Sequence, residues 1–161
     1  MSKRAEALAQ RIEQGAQALA GYAKELTDAQ WRTNVPPDGR PAGVIIHHVA
    51  SVYPIEIDLA RQIASGKSVA GVTWGFVAEL NAKHARDNAG AGKQETVDAL
   101  LRNSHAAAEA VRGFSDEELD RAAPVSLNAD APLTTQFLIE DHALRHSWHH
   151  LAKIKAVLQG V

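Results

Sequence analysis

Apolar residues recur along most of this chain at intervals of three and four, the spacing that gathers them on one face of an α-helix. Leu8, Ile12, Leu19 and Tyr22 stand among Glu, Gln and Lys and predict a first helix over roughly residues 3–26. Thr27 offers a capping hydroxyl to the short segment Asp28–Trp31. The stretch Asn34–Gly43, with three prolines and two glycines, breaks the pattern. A second helix starts near Pro41 and runs to about Ala64, with Ile45, His48, Val52, Ile55 and Leu59 as its inner stripe. Pro54 lies inside it; lacking a backbone N–H, it is expected to kink or split the helix. Val72–Asn88 reads as a further helical piece. Gln94–Arg112 follows, with Val97, Leu100, Leu101, Ala106, Ala107 and Val111 inward and Gly113 as its stop. Ser115 and Glu118 make a capping box for a short turn ending at Asp120. After a polar, proline-containing connection, a last helix runs from about Leu133 to Leu158 and stops at Gly160.

Strand signals are few. Gly43–Val49, "GVIIHHV", is the strongest apolar run, and it fits a helix face equally well. No Asn-Gly or Asp-Gly turn joins two alternating runs. The pattern predicts an all-α fold: one domain over residues 1–161, a four-helix bundle with additional short helical pieces.

Composition narrows the function. With 161 residues, 45% of them hydrophobic and 22% charged, the chain can bury one core. A net charge of −2 gives no basic surface for nucleic acid. No apolar run reaches the roughly 18 residues of a membrane span, and no signal peptide is visible, so a cytoplasmic location is expected. A symmetric homodimer is the expectation from the usual habits of small bundles. Cysteine is absent, which excludes disulfides, thiolate ligands and a cysteine nucleophile. Any bound metal must then be held by His, Asp, Glu, carbonyl or water.

Histidine changes the picture. Four of the eight histidines fall in "DHALRHSWHH", Asp141–His150. The cluster is no appended tag, because it is interleaved with Leu144, Trp148, Leu151 and Ile154 in an amphipathic pattern. Ile139, Ala143, His146, His150, Ile154 and Val157 make one inward line, which puts His142 and His149 on the flanks. Two imidazoles one helical turn apart can share one first-row metal ion. His48 lies on the inner stripe of the second helix and supplies a third. Three histidines would leave a position open for water or a substrate atom. Other frameworks fit worse: no Glu has a His three residues later, no His-Glu-x-x-His occurs, and "GAGK" lacks the flanking elements of a phosphate loop. Bis-histidine haem binding stays open, as do ordinary hydrogen-bonded core histidines.

The chain resembles the DinB/YfiT-like superfamily of small four-helix proteins over most of its length. The marks are "GVIIHHVA" in the second helix and "HSWHH" in the last. The segments "NAKHARDNAGAGKQETVDALLRN" and "VRGFSDEELDRAAP" also look like one branch of that family. The resemblance implies a bundle in which His48, His146 and His150 hold a divalent metal, with zinc, nickel or iron as the ion. Through its similarity to mycothiol- and bacillithiol-dependent transferases and isomerases, it also implies a metal-dependent thiol S-transferase or hydrolase. Such an enzyme would act on a small-molecule substrate with a low-molecular-weight thiol as co-substrate.

Helpers are less marked. Asn81 and His84 could bind substrate or relay a proton if their segment lines the metal's mouth; a solvated helix face is the alternative. His149 and Asp141 are candidates to orient a ligand imidazole, against plain surface roles. Trp31, Trp74 and Trp148 read as core or interface residues. The competing function is a non-catalytic, metal-stabilised bundle that binds a small ligand, since no general base stands out beside the three histidines.

Overall fold

Ser2 opens the first helix, α1 (Lys3–Glu25): its hydroxyl accepts the Ala5 N–H, and Leu8, Ile12, Ala16 and Leu19 are buried along one face. The computed structural model describes residues 1–160. Thr27 and Gln30 form a capping box on the single turn α2 (Asp28–Trp31). Three long or medium helices follow: α3 (Ala42–Ala64), α4 (Trp74–Asp87) and α5 (Lys93–Arg112). Then come the capped turn α6 (Asp116–Asp120), a short α7 (Thr135–Ile139), a π-helical turn (Glu140–Leu144) and α8 (Arg145–Gln159). Among the described residues no helix is long and apolar enough to cross a membrane.

The bundle is built from α1, α3, α5 and α8. α1 packs on α5 and α8; α3 packs on α5 and on α7–α8; α1 and α3 barely touch. The first two long helices are therefore diagonal partners, and the last two likewise. The chain crosses the bundle rather than running round it, and this brings α3 directly against α8.

Two hairpins lie outside the helical expectation. β1 (Asn34–Val35) pairs antiparallel with β2 (Arg40–Pro41) across the proline loop. β3 (Ala122–Val125) pairs with β4 (Ala131–Thr134), so the residues expected to begin the last helix are strand instead. The helix starts only at Thr135, where the Thr134 hydroxyl accepts the Phe137 N–H. The turn between β3 and β4 uses Ala129 at φ 56° and Asp130 at φ 59°. Left-handed conformations are the work that Asn-Gly pairs usually do. With Ala and Asp doing it, the local sequence carried no hairpin signal.

Pro54 neither splits α3 nor ends it; the helix is continuous from Ala42 to Ala64. A proline at this position leaves the carbonyl four residues back, that of Ala50, without its helical donor. Asn103 on α5 fills the gap: its Nδ2 donates to the Ala50 oxygen at 2.8 Å. An unpaired buried carbonyl costs about 1–3 kcal/mol. Asn103→Leu is therefore expected to lower stability by about 2 kcal/mol, and by much less in a Pro54→Ala background, where residue 54 regains its N–H. Chemical denaturation of the four proteins checks this; equal costs in both backgrounds would contradict the pairing.

The buried arc of α3 also differs from the expected stripe. Ile46, Val49, Tyr53, Ile57 and Ala60 run along its middle, while Ile55 is 56% exposed. The cause is packing on two sides, by α5 and by α7–α8, which centres the arc between them. His48 stands at its α8 border, against His146 and His150. Of the tryptophans, Trp31 is buried, whereas Trp74 and Trp148 are exposed.

Candidate metal centre

Where α3 meets α8, three imidazoles converge. His48 comes from α3; His146 and His150 sit one turn apart on α8. Ring centroids lie 5.0 Å apart for His48–His146, 5.8 Å for His48–His150 and 4.8 Å for His146–His150. One ligand atom from each falls within 4.8 Å of the other two. The inward line Ile139, Ala143, His146, His150 and Ile154 runs through the π-helical turn without losing its face, ending before the exposed Val157.

Burial prepares two of these rings to be neutral donors. His48 is 6% exposed and His150 8%. Burial first, and the neighbouring His146 second, push His48 down from 6.5 to about 3 and His150 down to about 2. Near neutral pH both therefore keep a lone pair for a metal. Nδ1 of His150 is buried with no hydrogen-bond partner, a costly state for a nitrogen unless something else meets it. His146 is fixed differently: its Nδ1 donates to Oε1 of Glu56 at 2.9 Å, which leaves the lone pair on Nε2. A carboxylate behind a ligand histidine holds the ring's orientation and raises its basicity. Three imidazole nitrogens at this spacing suit a divalent metal ion.

Glu56 was not singled out from the sequence. The signal was present, since a carboxylate between Ile55 and Ile57 sits in an apolar stretch of helix, but only the fold shows that it faces His146. Asp141, the sequence candidate for this task, instead pairs with Arg145 at 3.2 Å. His149 stands against the cluster's outer edge, its ring 5.2 Å from that of His150. Glu56→Gln keeps a hydrogen-bond acceptor and removes the charge. It is expected to weaken metal binding by about 10–100-fold with little change in fold. Competition against a chromogenic chelator measures this, and an unchanged affinity would remove Glu56 from the centre.

A second pair of histidines adjoins the first group. Nδ1 of His47 and Nε2 of His84 are 2.8 Å apart, and the His84 ring lies 5.6 Å from that of His48. Burial lowers the pKa of both, and for His84 the neighbouring His47 and Arg40 act in the same direction. Nδ1 of His84 is buried and unpartnered. Asn81 lies one turn earlier on α4, half-buried. The α4 helix itself buries no residue fully, so it lies over the bundle rather than within it.

No curated protein matches the chain in sequence. Among solved structures, YfiT from Bacillus subtilis superposes with a TM-score of 0.75 at 17% identity, covering 99% of this chain and 90% of that one. That protein is described as a probable metal-dependent hydrolase with an unusual four-helix bundle topology. The sequence profile of the DinB superfamily matches residues 11–154, from the first helix through the last and across all three converging histidines. The chain belongs to the DinB superfamily.

Proposed function

We propose that this protein is a divalent-metal enzyme in which His48, His146 and His150 hold the ion and a small electrophile is attacked by water or by a low-molecular-weight thiol. The observation that carries the reading is the meeting of the three imidazoles within 4.8 Å, with a further histidine pair beside them. The description of YfiT as a probable metal-dependent hydrolase supports the hydrolytic form. The thiol-transfer form rests on the family resemblance.

A metal bound by three histidines lowers the pKa of a water or thiol placed at its open position. The protein's own groups do the rest. Glu56 holds the proton on His146 Nδ1, so that Nε2 stays a donor. With His84 Nε2–H donating to His47 Nδ1, the His84 Nδ1 lone pair is free to take a proton from the nucleophile. The 2.8 Å contact then lets the Nε2 proton move on to His47 Nδ1.

Turnover of an activated ester, and displacement of halide from an activated aryl halide by a thiol, test the two forms with zinc- and nickel-loaded protein. Activity in one assay, abolished by chelator, is expected. His84→Gln should lower kcat by about 10²–10⁴-fold while metal content stays unchanged. Full metal occupancy with no turnover of any electrophile would leave the non-catalytic, metal-stabilised bundle as the reading.

A further inference from the structure

Arg40 is the feature that the metal reading does not use. It stands in β2, immediately before α3, in a hairpin whose strands touch α3 and α8. Its side chain is only 12% exposed. Asp38 takes one edge of the guanidinium, with Nε donating to Oδ2 at 2.7 Å. Nη1 is buried and has no partner. A cationic donor taken out of water and left unpaired is costly, and such groups are retained where something binds them.

The surroundings say what that something is. The hairpin that carries Arg40 packs on both α3 and α8, the two helices that bring the three histidines together, and the positive charge of Arg40 lowers the pKa of His48, His84 and His150. Two carboxylates on this side are already engaged: Glu56 by His146, and the half-exposed Asp38 by Arg40 itself. Asp87 and Glu95 act on the His84–His47 side instead. A divalent ion held by the three histidines would, together with Arg40, add positive charge to this side. A guanidinium with free Nη donors matches a planar carboxylate.

We infer that Arg40 is a substrate-recognition residue, which docks the carboxylate of a small acid while the other end of that molecule reaches the metal. The inference rests on the metal reading proposed above and narrows its substrate to carboxylate-bearing compounds. Arg40 touches the part of the ligand that does not react; its role is selection and placement.

Cobalt-loaded protein gives a readout independent of turnover, because thiolate binding to cobalt changes its visible spectrum. The probes are 3-mercaptopropionate and its uncharged counterpart, 3-mercaptopropanol. The acid is expected to bind the unaltered protein at least about tenfold more tightly than the alcohol. Arg40→Met should erase that preference with cobalt uptake and the alcohol's affinity unchanged. Asp38→Asn, which releases the guanidinium from its own carboxylate, should enlarge the preference and keeps the test alive if Arg40→Met fails to fold. Full cobalt uptake with equal binding of acid and alcohol, or a preference that survives Arg40→Met, overturns the role of Arg40 alone. Absence of cobalt uptake overturns the metal reading and this inference with it.

Discussion

Replacing His48 and His150 together by alanine is expected to empty the protein of metal. Purified without an affinity tag and exposed to zinc, the unaltered chain should carry one ion; the double variant should carry none above background. Each ligand of a zinc site contributes on the order of 3 kcal/mol, so either single variant should already lose affinity by about two orders of magnitude. His142→Ala and His149→Ala serve as internal controls. Both residues share the histidine-rich stretch, but neither is among the three whose nitrogens converge, so both variants should retain the ion. Elemental analysis after dialysis reads all six proteins. Equal zinc in the double variant and the parent, or equal losses from His149→Ala and His150→Ala, would sink the assignment. A companion effect is thermal. An ion that binds only the folded chain stabilises it by about 4 kcal/mol at a thousandfold excess over Kd, so chelator should lower the melting temperature of the parent and leave the double variant unmoved.

Gly43→Ala is expected to be the most damaging single methyl group in the protein. A Cβ placed on Gly43 would stand 2.1 Å from Cε2 and 2.3 Å from Nε1 of Trp31. The indole cannot simply step aside, since it is buried and donates from Nε1 to the Ala91 oxygen at 3.0 Å. Alanine would improve helix propensity by up to about 1 kcal/mol. Overpacking against a fixed ring costs about 3 kcal/mol, so the clash wins. The net loss of roughly 2 kcal/mol should lower the melting temperature by about 4–8 °C. Metal affinity should fall too, because Gly43 lies in the first turn of the helix that carries His48 five residues on. Trp31→Leu should relieve the clash when combined with Gly43→Ala. A Gly43→Ala protein as stable as its parent would mean that the Trp31 contact is not tight.

These two positions also show what could be read from the chain before its fold was known. The inward line through Ile139, Ala143, His146, His150 and Ile154 was legible because helical spacing alone assigns a face. The same rule placed His48 near the right border of its helix. It misjudged Ile55, because a helix packed on two sides buries an arc that no single stripe describes. The Gly43–Trp31 contact had no local signature, for it joins two elements through shape rather than pattern. Glu56 was visible as an oddity, and its partner His146 was not, since the pairing depends on which helices are neighbours. The β3–β4 hairpin was hidden because Ala129 and Asp130 adopt positive φ without the residues that usually announce it. Pro54 misled in the opposite direction: the break it threatens is repaired by Asn103, from a different helix.

The diagonal order of the bundle has a consequence for the timing of assembly. A metal centre divided between α3 and α8 cannot exist in a chain that has folded only its first three helices, since His48 alone offers one weak donor. The pocket closes only when the last helix docks, after a long loop has been brought together against its entropy. On the proposed reading, ion capture is therefore a late event that locks the final helix in place. Partly synthesised or partly unfolded chains would release their ion rather than trap it in a wrong arrangement, and retained metal would report that folding is complete.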